Sequence, residues 1–433
     1  MSLSSSLNAS VLGLTSNATQ LATISDNIAN SSTYGYKRAE TDFHSMVIGN
    51  SSTTYTAGGV RTTNMRLIDE RGPLIGTGNS TDLAIDGRGM LAVTSMDDVR
   101  VNNPSPPLML STTGSFRSDP QGYLVTSNDL VLMGWPANPD GTMPTYPRDT
   151  AAGLEPIRIT SNQLFGTATT AVQLGVNLPA TSTAAGAAGD EEIMTIQYYD
   201  NLGKPETLTL TFTPTVPATG SSNTWTLEIA DSASGGAVIG EYELQFNDTR
   251  TDGGTLASVT TTSGGAYDPV TGTMQVTVNG GPMDVNIGLP GQSDGITQLA
   301  DGYIPYGVEQ NGAPVGVMTS VEVDANGYVY AVYDSGESRL MYQLPVVDVP
   351  NPNGLAAGSG QTFTVTQASG DFFLWDAGDG PVGGVESYAR EQSSVDVAAE
   401  LTQMIQTQRA YSSNAKVIQT VDEMLQETTN LKR

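Results

Sequence analysis

Apolar residues seven apart mark both ends of this chain: Leu7, Leu14, Leu21 and Ile28 near its start, Met404, Tyr411, Ile418 and Leu425 near its finish. With Leu3, Val11, Ala18 and Ile24 at intermediate spacings of three and four, the first set predicts one helix over about 3–28 carrying a narrow apolar seam. The second set, with Leu401, Ala415 and Val421 beside it, predicts another over about 395–429. Ser393 followed by Asp396 resembles a capping box, and Asp396 and Glu400 sit where the positive end of a helix favours acids. Helices of these lengths would run roughly 39 and 52 Å at ~1.5 Å per residue. Isolated helices are marginal in water, and a pair made from the two ends would cover only part of the two seams. The seam residues Leu3, Leu7, Val11, Leu14, Leu21, Ile28, Leu401, Met404, Tyr411, Ala415, Ile418 and Leu425 are therefore expected to pack against other copies of the chain, in preference to a two-helix stalk docked on its own β region.

The middle follows another rule. Thr207 to Phe212, Trp225 to Ile229, Val321 to Val323 and Tyr328 to Tyr333 alternate polar and apolar residues, the period of a half-buried strand. Asp86-Gly87, Asp140-Gly141, Asp252-Gly253, Asn279-Gly280, Asn326-Gly327 and Asp379-Gly380 are hairpin signals. The expected class is α+β: nested, mainly antiparallel β domains with N- and C-terminal α-helices forming a coiled-coil-like polymerisation domain. At 433 residues the chain is too long for one ordinary domain. Composition shifts near 150–190 and 288–302 suggest a helical core of 1–30 plus 390–433, a connector at 31–71, an inner β domain of 72–150 plus 290–389, and an inserted outer β domain at 151–289. The connector, with Gly35, Gly49, Gly58 and Gly59, reads equally as a strand hairpin or a loop.

Composition removes most chemistry. Eighteen Lys and Arg against 45 Asp and Glu give a formal net charge of −27, which argues against nucleic acid as a partner. Without Cys and with His44 alone, disulfides, Cys-based metal sites, thiol nucleophiles and two-histidine catalysis are excluded. No run approaches the roughly 18 apolar residues of a membrane span, so no membrane insertion is expected. The first 36 residues hold no Lys or Arg, unlike a cleaved secretory signal with its basic start. Gly87-Arg88-Gly89-Met90-Leu91-Ala92 has the spacing of a dinucleotide fingerprint, but Val93-Thr94-Ser95 does not open the helix that would hold a pyrophosphate. Asp324-Ala325-Asn326-Gly327 lacks the later ligands of a calcium loop, and Asp190-Glu191-Glu192 and Asp97-Asp98 are acid pairs that abundance alone explains. Neither catalytic, cofactor nor metal residues are expected, and the chain does not read as an enzyme.

Several motifs together resemble the axial rod and hook proteins of the bacterial flagellum. Ser25-Asp26-Asn27-Ile28-Ala29-Asn30 followed by Thr33-Tyr34-Gly35-Tyr36-Lys37 is similar to that family's N-terminal signature. Gly78-Asn79-Ser80-Thr81-Asp82-Leu83, running on to Gly89, resembles its shared β motif, continued by Gly114-Ser115-Phe116 and Gly122-Tyr123-Leu124. At the far end Ser394-Val395-Asp396, Glu400 to Ile405, Gln408-Arg409-Ala410-Tyr411, Asn414-Ala415-Lys416 and Leu425 match likewise. Met90-Leu91 stand where the family commonly has two aromatics, and Asp26 replaces a usual Asn. The long insertion, with Tyr199-Asp200-Asn201-Leu202-Gly203, is similar to the hook-building members. The resemblance implies a structural subunit of a hollow, flexible helical tube that passes torque from rod to filament. It implies the chain itself as main partner, with distal rod, hook cap and hook–filament junction proteins and the flagellar type III export apparatus, and a location outside the cell. A distal rod protein forming a straight tube is the alternative, and a secreted β-rich carbohydrate-binding protein a more distant one.

Overall fold

Two kinds of element carry the chain, in the order the two periodicities set. The computed structural model describes residues 3–46, 57–104, 106–160 and 164–430, with the backbone alone at Leu3 and Ser4. Among them three α-helices occur: α1 (Leu3–Ala29), α2 (Met96–Arg100) and α3 (Val397–Asn430). Almost all the remaining regular structure is strand. The N-terminus of α3 is not the expected box, since Asp396 itself caps it, Oδ1 accepting from Ala398 N at 2.8 Å and Ala399 N at 3.2 Å. Ser393 turns instead to Val395 N. Asp beside two free N–H groups meets both the cap geometry and the helix dipole, so no second residue is needed.

Contacts divide the chain into two units, 1–161 with 320–332 and 338–433, and 162–319 with 333–337. In the first unit, Asp82–Asp86 lies between Gly384–Ser387 and Thr113–Ser115, so segments 300 residues apart in sequence share one sheet. Met90–Ser95 pairs with Leu130–Pro136, Met109–Ser111 and Pro345–Asp348. Its core gathers Ile68, Met90, Leu110, Trp135, Phe363 and Leu374. Arg148 lies 4.6 Å over the Trp135 ring and holds Asp376 by two bonds of 2.7 and 2.8 Å, a cation fixed by both a π face and a carboxylate.

In the second unit a five-stranded antiparallel meander, from Glu192–Tyr199 to Leu256–Ser263, shares one core with a sheet built around Ala171–Pro179. Trp225, Tyr198, Phe212 and Tyr242 fill that core from the inward positions of the alternating strands. The pairing is mainly antiparallel, as expected, with one departure: Ala171–Pro179 runs parallel to both Gly281–Asn286 and Ile296–Leu299. Periodicity fixes which residues face inward but carries no strand direction.

The expected domain boundaries also move. Glu155–Pro156 pairs with Leu130–Pro136, and Ile157 is fully buried, so 151–160 stays with the first unit. Ile296–Leu299 and Ile304–Gln310 pair with Ala171–Pro179, so the segment 290–319 belongs to the second. Gly and Pro clusters marked turns inside a unit there, and such turns have the same composition as linkers. The turn pairs divide likewise. Asn279-Gly280 makes a two-residue hairpin and Asp252-Gly253 joins two paired strands. Asp86-Gly87 and Asp379-Gly380 instead pass the chain from one sheet to another, and Asp140-Gly141 closes a turn within a loop.

Candidate functional site

α1 and α3 pack antiparallel, with Asn27 against Glu400 and Gly13 against Asn414. The faces they bury coincide with the heptad seams only in part. On α1 the buried positions are Ser5, Ser10, Ser16, Asn17, Ile24 and Asn27, and on α3 Glu400, Thr407 and Val421. Small residues permit this close approach: a Cβ on Gly13 would lie 2.8 Å from Asn414 Nδ2. Their hydroxyls are satisfied along their own helices, Ser10 Oγ donating to Ser6 O at 3.0 Å and Thr407 Oγ1 to Gln403 O at 2.8 Å, so burying them strands no donor.

The seams are therefore divided between cover and exposure. Leu7, Leu14, Leu21 and Ile28 are partly exposed and Val11 more so, while the side chain of Leu3 lies outside the described residues. On α3, Leu401, Tyr411 and Leu425 are exposed, whereas Met404, Ala415 and Ile418 are partly covered by α1. Ile405 at 52% and Met424 at 53% exposure add apolar surface that the seven-residue count passed over. At 100° per residue the α1 seam sits roughly 120° round the helix from its buried face.

Beneath the pair lies a buried polar junction. Asn27 uses all its capacity: Nδ2 donates to Ala39 O at 2.8 Å and Glu400 Oε1 at 3.2 Å, and Oδ1 accepts from Ala39 N at 2.9 Å and Tyr36 OH at 3.1 Å. Burial, together with the hydrogen bond to Asp26, pushes the Tyr36 hydroxyl up to about 12. Lys37 Nζ donates to Glu391 Oε1 at 2.7 Å and to Glu70 O at 2.8 Å, both charged side chains being almost wholly buried. Burial lowers the Lys37 pKa against the pull of Glu391. Arg38 Nε reaches Glu400 Oε1 at 2.7 Å, and Ser394 Oγ accepts from Arg38 N. Gly35, at φ +71, donates to Glu391 O, and a side chain there would be strained and within 3.0 Å of Thr113.

Of the motif residues, Asn27, Ile28, Ala29, Asn30, Gly35 and Tyr36 thus gather at the end of α1, where Asn30 Nδ2 bonds back to Asp26 O. Asn414 lies in the helix interface, while Gln408, Arg409 and Tyr411 are exposed on α3. The connector resolves into a hairpin of Ala39–Ser45 and Val60–Arg66 lying against α1, with Thr41 and Thr23 hydroxyls 2.8 Å apart. Gly49 lies outside the described residues. Sequence reasoning missed Lys37–Glu391 and Arg38–Glu400 as pairs, and gave Glu400 only a helix-dipole role. The available signal was the Lys37-Arg38 dipeptide, the first cations in the chain.

Gly78, Asn79, Asp82 and Leu83 form a second locus. Asp82 Oδ1 accepts from Asn79 Nδ2, Ser115 Oγ and Arg117 Nη1 at 2.7–2.9 Å, and Leu83 behind it is fully buried. Gly78 faces open space. Burial raises the Asp82 pKa, but the bonds from Ser115, Arg117 and Asn79 outweigh it and hold the carboxyl at about 2, below its ordinary 3.8. A depressed carboxylate stabilises the fold above its unfolded pKa, and that stability drains as pH falls from about 4 toward 2. Melting curves across that range should show the loss, and Asp82→Asn should begin less stable at pH 7 and flatten the dependence.

The other candidates take structural places. Asp97 and Asp98 lie in the first turn of α2, capped by Ser95. Asp324 Oδ1 accepts from Asn326 N and Tyr328 N in a turn. Gly87 and Gly89, both at positive φ, lead into the strand Met90–Ser95. His44 stands opposite Arg61 on the hairpin. Among the described residues no group of three His, Asp or Glu is placed to hold a metal, and no helix is long and apolar enough to cross a membrane.

Three segments match family descriptions: residues 7–37 the Flagella basal body rod protein, 176–313 the Flagellar basal body protein FlaE D2 domain, and 386–431 the Flagellar basal body rod FlgEFG protein C-terminal. The flagellar hook protein FlgE of Brucella suis is 34% identical over 440 residues, covering all of both chains. That of Salmonella typhimurium is 28% identical over 99% of this chain and all of its own. The crystal structure of Helicobacter pylori flagellar hook protein FlgE2 aligns with 73% of this chain and 99% of its own, at 12% identity and a TM-score of 0.48. With full-length relatives above 30% identity, the chain belongs to the flagellar hook protein family.

Proposed function

We propose that this chain is the repeating subunit of the flagellar hook, polymerising through α1 and α3 into a hollow, flexible helical tube that carries torque from rod to filament. One observation carries the assembly step: the helix pair spends its small polar face on itself and leaves Val11, Leu401, Ile405, Tyr411, Met424 and Leu425 exposed. A contact that does not close on two copies propagates, and so turns such seams into a filament. The helical layer is assigned to 1–30 with 390–433, the seam positions to contacts between subunits, and the Asn27–Glu400 junction to fixing the helix pair on the sheets. The distal rod, the hook cap and the hook–filament junction proteins are its neighbours, and the flagellar type III export apparatus its route out. Bending asks the outer parts to exchange contacts, and the Thr-, Ser- and Gly-rich second unit suits weak polar contacts that can be traded.

Electron microscopy of the purified, concentrated protein after salting-out tests this reading. Curved hollow tubes are the expected result. Straight tubes would transfer the chain to a rod-like role, and persistent monomers with protease-resistant termini would remove the assembly reading.

A further inference from the structure

Arginines in the first unit are mostly committed. Arg38 holds Glu400, Arg88 holds Asp348, Arg117 holds Asp82 and Arg148 holds Asp376, each with an N–O distance of 2.7–2.9 Å. Arg390 is different. Its guanidinium lies over Tyr34, with Cζ 3.8 Å from the ring centroid, and among the described residues its side chain makes neither hydrogen bond nor ion pair. Nε is buried with no partner at all. The group borders a polar cleft that Asn128 and Gln361 also line, Gln361 being in the left-handed conformation at φ +58. A guanidinium presents a planar fork of donors that matches a carboxylate bidentately, and the stacking on Tyr34 holds that fork in place beforehand.

Two further observations say what arrives. Tyr388, two residues before Arg390, is 45% exposed and held at φ +54, a strained position for a bulky side chain that shows its ring to solvent. An exposed Tyr beside a pre-positioned Arg is the composition of an interface centre. The net charge of −27 makes any neighbouring copy predominantly acidic, so an unpaired cation on this surface is electrostatically complementary to a second copy. We propose that Arg390, stacked on Tyr34, receives a carboxylate side chain from a second copy of this chain when subunits assemble. The inference rests on the polymerisation reading and adds to the apolar helix contact a charged one on the β surface.

The test compares full-length wild type, Arg390→Gln and Tyr388→Gly by pelleting over a concentration series, with melting of the unassembled protein measured in parallel. Loss of a charge-assisted bond at an interface should raise the critical concentration of Arg390→Gln about ten- to a hundred-fold. Its melting temperature should fall only slightly, because within the subunit the side chain gives up its stacking on Tyr34 and no hydrogen bond or ion pair. Tyr388→Gly should melt no lower than wild type, its backbone strain relieved, yet assemble less readily. Raising salt should weaken assembly of wild type more than of Arg390→Gln. If Arg390→Gln assembles at the wild-type concentration, or melts well below wild type, the proposal is overturned and the arginine serves Tyr34 internally. If wild type itself forms no polymer, the hook reading falls with it; a polymerising wild type that Arg390→Gln equals sinks this inference alone.

Discussion

Leu401→Asp combined with Ile405→Asp should abolish tube formation while leaving the melting of both units unchanged. The two side chains are 47% and 52% exposed and lie one turn apart on α3, away from the face covered by α1, so a carboxylate at either place is solvated in the monomer. On the proposed assembly the same positions close against a neighbour. Each then forfeits up to ~2 kcal/mol of apolar burial and adds the several-kcal/mol cost of an unpaired charge removed from water. A combined loss of more than about 4 kcal/mol raises the critical concentration over a thousand-fold. Leu14→Asp and Ile418→Asp should also block assembly, each costing some monomer stability as well because both residues are half-buried in the subunit. Normal tubes from the double variant would place the subunit contact elsewhere.

Lys37→Met should be the most destabilising single change in the junction. It leaves Glu391 ionised and almost wholly buried, with Oε2 already without a partner and Oε1 reduced to Gly72 N. Breaking a buried pair from one side typically costs about 3–5 kcal/mol. Changing both residues together, Lys37→Met with Glu391→Leu, should recover much of that loss, since two well-packed apolar groups leave no stranded charge. The double variant separates this account from simple loss of packing, since a packing defect left by Lys37 would persist when Glu391 is also replaced. A double variant as unstable as Lys37→Met alone would mean that the stranded charge was not the cause.

Both predictions use information that the sequence held unequally. The seven-residue spacing located α1 and α3 within two residues at each end, and alternation in Thr207 to Phe212 or Tyr328 to Tyr333 located strands, because periodicity is a local property. Which face of each helix turns inward was not legible. Heptad reasoning points to leucines, yet the close contact belongs to Ser10, Gly13, Asn17 and Thr407, whose small size matters only once a particular partner is opposite. The junction was hidden for a related reason. Lys37 with Glu391 and Asn27 with Glu400 join residues more than 350 positions apart, and no local pattern announces such a pair. Likewise the parallel run of Ala171–Pro179 beside Ile296–Leu299 depends on chain routing, to which an alternating strand is indifferent.

The Lys37–Glu391 tie spans 354 residues, so its two halves are made at very different times. At the usual 5–20 residues per second of synthesis, roughly 20–70 s separate the lysine from the glutamate that neutralises it. For that interval the strands of Asp82–Asp86 and Leu74–Gly76 also wait for partners from the far end of the chain, Gly384–Ser387 and Ala389–Glu391. Until residue 391 has been made the clasp has no glutamate to close it, and Asp82–Asp86 has only Thr113–Ser115 beside it, so the first unit cannot complete its sheets before nearly all of the chain exists.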